Sequence, residues 1–209
     1  MRLPDPPLLL ITDRKQAREP LADILGAAFA AGCRWASVRE KDLPVTEQIA
    51  LARSLLPVAR QFGARLILHG DPAAARGAGV DGAHLAASGD ATAARAMLGP
   101  EALIGLSVHT PAEAASAFAA DYIVAGPAYE TASKPGYGPA LNAAGISAIA
   151  KRSSGPVIAV GGIAAHNLSD IMKAGAAGIA VMGGIMRADD PAAEMRDLLV
   201  ALGAQPRPR

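Results

Sequence analysis

His109 stands in the stretch GLSVHTPAEAA, residues 105–115. Before it, Ile104–Val108 is an apolar run that reads as a short buried strand. After it, Thr110-Pro111-Ala112-Glu113 has the form of a helix start, with Thr110 as cap, Pro111 at the first helical position and Glu113 as the reciprocal member of a capping box. The imidazole is therefore expected between the carboxyl end of a strand and the amino end of a helix. The positive end of the helix dipole disfavours the imidazolium. A neutral imidazole near pH 7 can take a proton from one atom and return it to another.

Other groups could hold an anion beside it. Arg39 and Lys41, in SVREKDLP, are two apart at a strand end and share one side of an extended chain, which suits a phosphorylated or carboxylated ligand. Gly161-Gly162 and Gly183-Gly184 each follow an apolar run and precede a helix, where small residues let backbone N–H groups approach an anion. The glycine- and proline-rich stretch YETASKPGYGP, residues 129–139, carries Thr131, Ser133 and Lys134 on a loop long enough to close over a ligand. Each group also has a plain structural role open to it. His109 could pack or cap, the cations could pair through Glu40, the glycines could make tight turns, and 129–139 could be an inert surface loop. His69, His84 and His166 lack metal-ligand spacing; His84 reads as a strand residue, His166 as a surface residue and Cys33 as a small buried hydrophobe.

The elements that must position these residues are short. Apolar runs at Leu8–Thr12, Trp35–Arg39, Arg65–His69, Gly82–Leu85, Leu103–Ser107, Tyr122–Ala125, Val157–Val160 and Gly178–Val181 alternate with helix-like segments near 20–32, 46–62, 72–79, 91–98, 111–120, 142–152, 167–175 and 191–202. Eight strand–helix units without a linker predict one domain over residues 1–203, a single (β/α)8 TIM barrel, with a disordered tail at 204–209. A doubly wound open sheet is the competing fold. It is disfavoured because no Gly-x-Gly-x-x-Gly follows the first strand and because polar residues gather after nearly every strand, where barrels place their sites.

Composition agrees with an α/β class. Half of the 209 residues are hydrophobic but only 3% are aromatic, so small aliphatic side chains must do the packing. A net charge of +1 points to neither nucleic acid nor an anionic membrane as partner. The first 15 residues lack the long apolar region of a signal peptide, and no segment has the length of a membrane span, so a cytoplasmic protein is expected.

Taken in order, LLLITDR, SVREK, GVDGAHL, IGLSVHT, DYIVAGPAYETASKPGYG and PVIAVGGIAAHNLSDIMKAGAAGIAVMGGI resemble the thiamin phosphate synthase / TenI superfamily nearly end to end. The resemblance implies a small (β/α)8 barrel, often a homodimer, that handles the phosphorylated thiazole of thiamin synthesis. Two activities occur on that scaffold. The synthase joins hydroxymethylpyrimidine diphosphate to thiazole phosphate, with Mg²⁺ holding the departing pyrophosphate. The TenI-like tautomerase aromatises thiazole carboxylate phosphate by moving a proton, without a metal or other cofactor.

Three departures from the synthase pattern favour the second activity. Ser37 stands where synthases have glutamine. His69-Gly70 replaces Asn-Asp, with Asp71 one position late, and Ala86-Ala87-Ser88-Gly89 replaces Gly-Gln-x-Asp, with Asp90 one position late. Asp71 and Asp90 would be the Mg²⁺ ligands of a synthase, and a shift of one residue changes side-chain direction. The expected function is thus a thiazole tautomerase with His109 as the proton-transferring residue. Gly161, Gly162, Gly183 and Gly184 would lie on the phosphate, Arg39, Lys41 and Lys134 on the anionic groups, and Thr131 and Ser133 would supply hydroxyl contacts. A thiamin phosphate synthase is the alternative, and a non-catalytic phosphate-ligand binding protein is the alternative from another class.

Overall fold

A strand buried on both faces needs apolar residues at every position, and the eight apolar runs meet that need. The computed structural model describes residues 3–131 and 138–203. The strands are β1 (Leu8–Ile11), β2 (Trp35–Val38), β3 (Arg65–His69), β4 (Gly82–Leu85), β5 (Leu103–Val108), β6 (Tyr122–Ala125), β7 (Val157–Val160) and β8 (Gly178–Val181). Each pairs in parallel with the next, and β1 pairs with β8, so the sheet closes into an eight-stranded barrel. The single (β/α)8 barrel expected from the sequence is the fold.

Helices α1 (Leu21–Ala30), α2 (Val45–Gln61), α3 (Pro72–Ala78), α4 (Ala91–Leu98), α5 (Pro111–Ser116), α6 (Asn142–Ala150) and α7 (Leu168–Lys173) connect successive strands. After β8 come a single turn, α8 (Gly183–Met186), and the closing helix α9 (Pro191–Ala201). The sequence reading missed α8, because four residues are too few to show a helical period. It also made α5 too long: that helix ends at Ser116 rather than near residue 120. No helix among the described residues is long and apolar enough to cross a membrane.

Strand alternation divides the core in two. Outward-facing residues such as Leu8, Leu10, Leu66 and Leu68 join the helices in one large cluster. Their inward-facing neighbours Leu9, Ile11, Trp35, Ile67, Leu103, Tyr122, Val124, Ile158 and Ala180 fill the barrel. Trp35 and Tyr122, both fully buried, meet edge to face with ring centroids 4.8 Å apart and planes at 82°. An aromatic pair of this kind adds roughly 0.5–1.5 kcal/mol beyond area burial.

Glycine appears in strands where backbone and bulk leave no room. A Cβ on Gly82 would lie 2.0 Å from the Leu103 carbonyl oxygen, a backbone atom that cannot step aside. Gly82→Ala is therefore expected to destabilise the barrel by about 2 kcal/mol, read as a lower urea midpoint at unchanged slope.

Candidate active site

The carboxyl ends of the strands open into one cavity of about 460 Å³. Every strand contributes at least one residue to its lining, and the upper layer of inward side chains has two characters. Ile11, Val124, Val160 and Ala180, from β1, β6, β7 and β8, form an apolar half. Ser37, His69, His84 and Ser107, from β2 to β5, form a polar half.

His84 anchors the polar half. Its Nδ1 lies 3.1 Å from the Tyr122 hydroxyl and its Nε2 lies 3.0 Å from Ser107 Oγ. Burial, helped by the charges of Lys41 and Arg39, pulls its pKa down to about 3, so the ring is neutral at physiological pH. The sequence reading of His84 as a strand residue was right but incomplete, since alternation with Gly82 puts its side chain inside the barrel. Ser37 is 1% exposed, and its hydroxyl has no hydrogen-bond partner among the described residues.

The rim above β2 carries the cations. Arg39 and Lys41 both line the cavity, as their spacing predicts. Glu40, between them, points the other way and is buried. Thr12 Oγ1 donates to it at 2.7 Å, the Arg14 backbone N–H donates to both of its oxygens at 3.1 Å, and the Arg14 guanidinium reaches it at 3.2 Å. The pairing of Arg39 or Lys41 through Glu40 is thus not what the chain adopts: Arg14 takes that carboxylate. Among the described residues neither Arg39 nor Lys41 has an ion pair. Burial above all, and then the neighbouring Arg39 charge, lower the pKa of Lys41. Asp42 bridges Arg14 and Lys15, and those hydrogen bonds hold its carboxyl far below the usual range.

All four glycines line the cavity as well. Gly161 and Gly162 have φ of 104° and 62°, and a Cβ on Gly162 would meet the Glu130 carbonyl oxygen at 2.4 Å. Glycine is required there by the crossing segment 127–130. Gly184 differs, because a Cβ there meets nothing within 4 Å. Gly183 and Gly184 open α8 and, as first-turn residues, their N–H groups have no preceding carbonyl within the helix. Arg187, at the end of α8, adds a third cation to the cavity wall and contacts Gln16 of the β1 loop. The sequence reading passed over it because no spacing pattern marks an isolated arginine.

His109 lies just past β5 and lines the cavity. The capping box beside it forms as expected, with Glu113 accepting from the His109 and Thr110 N–H groups while its own N–H donates to Thr110 Oγ1. His109 Nδ1 is 3.0 Å from the Gly126 carbonyl oxygen. A carbonyl only accepts, so Nδ1 carries the proton and Nε2 is the basic nitrogen. Thr131 lines the cavity, whereas Ser133, Lys134 and the tail at 204–209 fall outside the described residues.

The carboxylates suggested for Mg²⁺ do other work. Asp71 caps α3, accepting from Ala73 N at 2.8 Å, and Asp90 caps α4, accepting from Ala93 N at 2.9 Å. Neither lines the cavity, where Glu130 is the one carboxylate among the described residues. No group of three His, Cys, Asp or Glu side chains suited to a metal occurs among those residues. This donor set does not fit a hard cation that requires several oxygen ligands.

A parallel barrel with cations and open glycine turns at its carboxyl-end mouth has the architecture of an enzyme for anionic ligands. The profile of the family described as thiamine monophosphate synthase matches residues 8–185, and the chain belongs to that family of thiamin-biosynthesis enzymes. It is 42% identical to a putative thiamine-phosphate synthase of Geobacter sulfurreducens over 96% of both chains. It is 35% identical to the thiamine-phosphate synthase of Mycobacterium tuberculosis over 97% of both. The solved thiamine phosphate pyrophosphorylase from Pyrococcus furiosus superposes with a TM-score of 0.82 at 27% identity, covering 94% of this chain and 95% of that one.

Two measurements check the site. Removing the unpartnered hydroxyl by Ser37→Ala is expected to stabilise the ligand-free protein by about 1 kcal/mol in urea denaturation. For His84, the unfolded chain binds a proton near pH 6.5 that the folded chain refuses until about pH 3. Its contribution to stability is therefore complete above pH 6.5 and lost as the pH falls through that window, at no more than about 1.4 kcal/mol per pH unit. Chemical denaturation between pH 4 and 7 is expected to show a shallower pH slope for His84→Gln than for wild type.

Proposed function

We propose that the protein is a thiamine-phosphate synthase, joining a pyrimidine methyl diphosphate to a thiazole phosphate in this cavity. The observation that carries the reading is one cavity at the strand ends that gathers cationic side chains and glycine turns, in a chain whose near full-length relatives are named for that reaction. The glycine turns after β7 and β8, with Arg187 at the end of α8, suit the thiazole phosphate, and Arg39 and Lys41 suit a diphosphate. In the joining step the methylene carbon–oxygen bond breaks with its electron pair going to pyrophosphate. The thiazole nitrogen lone pair then forms the new carbon–nitrogen bond. Negative charge builds on the leaving group, where Arg39 and Lys41 stabilise it. Asp71 and Asp90 cap helices and take no part in the step.

A second reading, a thiazole tautomerase, has a specific observation in its favour. Joining the two rings moves no proton to or from a ring carbon, yet the mouth holds His109 with its basic Nε2 set by the Gly126 carbonyl. In this reading Nε2 takes a proton from the thiazole ring carbon and returns it to the exocyclic carbon, while Arg39 and Lys41 hold the ring carboxylate.

Chromatography of products separates the two. Thiamin phosphate and pyrophosphate formed from pyrimidine diphosphate plus thiazole phosphate are expected for the synthase. Aromatised thiazole carboxylate phosphate formed without pyrimidine or Mg²⁺, and no thiamin phosphate in the complete mixture, would replace that reading with the tautomerase. His109→Asn would then lower the tautomerisation rate about 10²–10⁴-fold. Ligand binding with neither product would overturn both.

A further inference from the structure

The polar half of the floor contains a chain of three side chains whose hydrogen-bond direction can be deduced. Tyr122 is fully buried beneath the floor, and among the described residues its hydroxyl has one partner, His84 Nδ1 at 3.1 Å. Ser107 Oγ likewise has one, His84 Nε2 at 3.0 Å. A neutral imidazole donates from one nitrogen and accepts at the other, so two arrangements exist. With the proton on Nδ1, the Tyr122 oxygen accepts, Ser107 donates to Nε2, and the Tyr122 hydrogen is stranded inside the barrel without an acceptor. With the proton on Nε2, Tyr122 donates to Nδ1, Nε2–H donates to Ser107 Oγ, and the one unused hydrogen belongs to Ser107. Ser107 is only partly buried and lines the cavity, so that hydrogen can meet a ligand or solvent. Stranding a buried donor is the costlier arrangement, which selects the second.

The barrel makes room for this chain. A Cβ on Gly105 would lie 2.1 Å from the Tyr122 ring and 2.4 Å from His84 Nδ1, so the β5 residue between them has no side chain. Behind the group, Trp35 packs edge to face with Tyr122 and fixes its ring. The groups facing His84 are Tyr122, Ser107, His69 with its ring 5.1 Å away, and the charges of Lys41 and Arg39. None of them is an anion that would favour the imidazolium.

We propose that Tyr122 and His84 are positioning residues that hold the Ser107 hydroxyl with its hydrogen directed into the cavity, as donor to an acceptor atom on the bound heteroaromatic ring. The inference rests on the proposed function for the identity of that ring. The hydrogen-bond direction itself rests only on the barrel interior. Ser107 and His109 lie two apart along β5 and its extension and both line the cavity, so the mouth offers the ring a fixed donor beside a base. Burial with the nearby cations keeps His84 neutral, and the donor is not switched by pH in the physiological range.

The test uses the full chain with ¹⁵N-labelled histidine, read by NMR without ligand. His84 is expected in the Nε2–H tautomer, and Tyr122→Phe is expected to shift it towards a mixture. An Nδ1–H tautomer in the wild type would overturn the proposal. In turnover assays, Tyr122→Phe and Ser107→Ala are each expected to lower kcat about tenfold, with KM for the phosphate-bearing substrate within twofold. The double variant is expected to be no slower than Ser107→Ala alone. Losses that multiply in the double variant would mean Tyr122 acts on packing only, and would overturn the positioning role. If wild type turns over no thiazole substrate, the proposed function fails and the tautomer measurement alone decides this inference.

Discussion

The Tyr122 side chain lies across the inside of the barrel, and both the core and the site depend on its fit. Below, its ring meets Trp35 edge to face and closes the apolar interior. Above, its hydroxyl supports His84 from beneath the cavity floor. So large a side chain fits inside eight short strands only because β5 has glycine at position 105 beside it. Close packing transmits this constraint, since an interior at crystal density has no slack with which to absorb a misplaced ring.

Alternation along the strands turns that packed interior into a site. One inward side chain per strand reaches the upper layer, and eight strands make a ring of eight. Four of them are apolar and contiguous through barrel closure; the other four are polar and contiguous from β2 to β5. The same alternation separates Glu40 from its neighbours. Arg39 and Lys41 face the mouth, while Glu40 turns to Thr12 and Arg14 and fastens the first two strand ends together. A buried carboxylate with several donors organises the rim without neutralising the two cations that line the cavity.

The helix starts explain why the carboxylates sit where they do. Asp71 and Asp90 each precede a helix and accept from its first N–H groups, as short polar side chains at that position do. Both carboxylates are thereby committed to a helix end rather than to the cavity. His109 shows the reverse case. A cap built by Thr110 and Glu113 fixes the backbone beside it, and the Gly126 carbonyl sets which ring nitrogen is basic.

Much of this was determined by the sequence alone. Eight apolar runs between helix-like segments specify a closed parallel barrel, because short strands buried on both faces have few other ways to exclude water. The same local rules indicate the capping box around His109, the shared face of Arg39 and Lys41, and the glycine turns after β7 and β8, since each depends on neighbours within a few residues. What pairs across the barrel was decided only by the tertiary structure. That His84 joins Tyr122 to Ser107, that Ser37 has no hydrogen-bond partner among the described residues, that Arg14 rather than Arg39 takes Glu40, and that Arg187 reaches the mouth all depend on contacts between distant segments. Such contacts leave no period or spacing in the chain. They arise when closure of the sheet brings together side chains that share nothing in sequence except their turn to face inward.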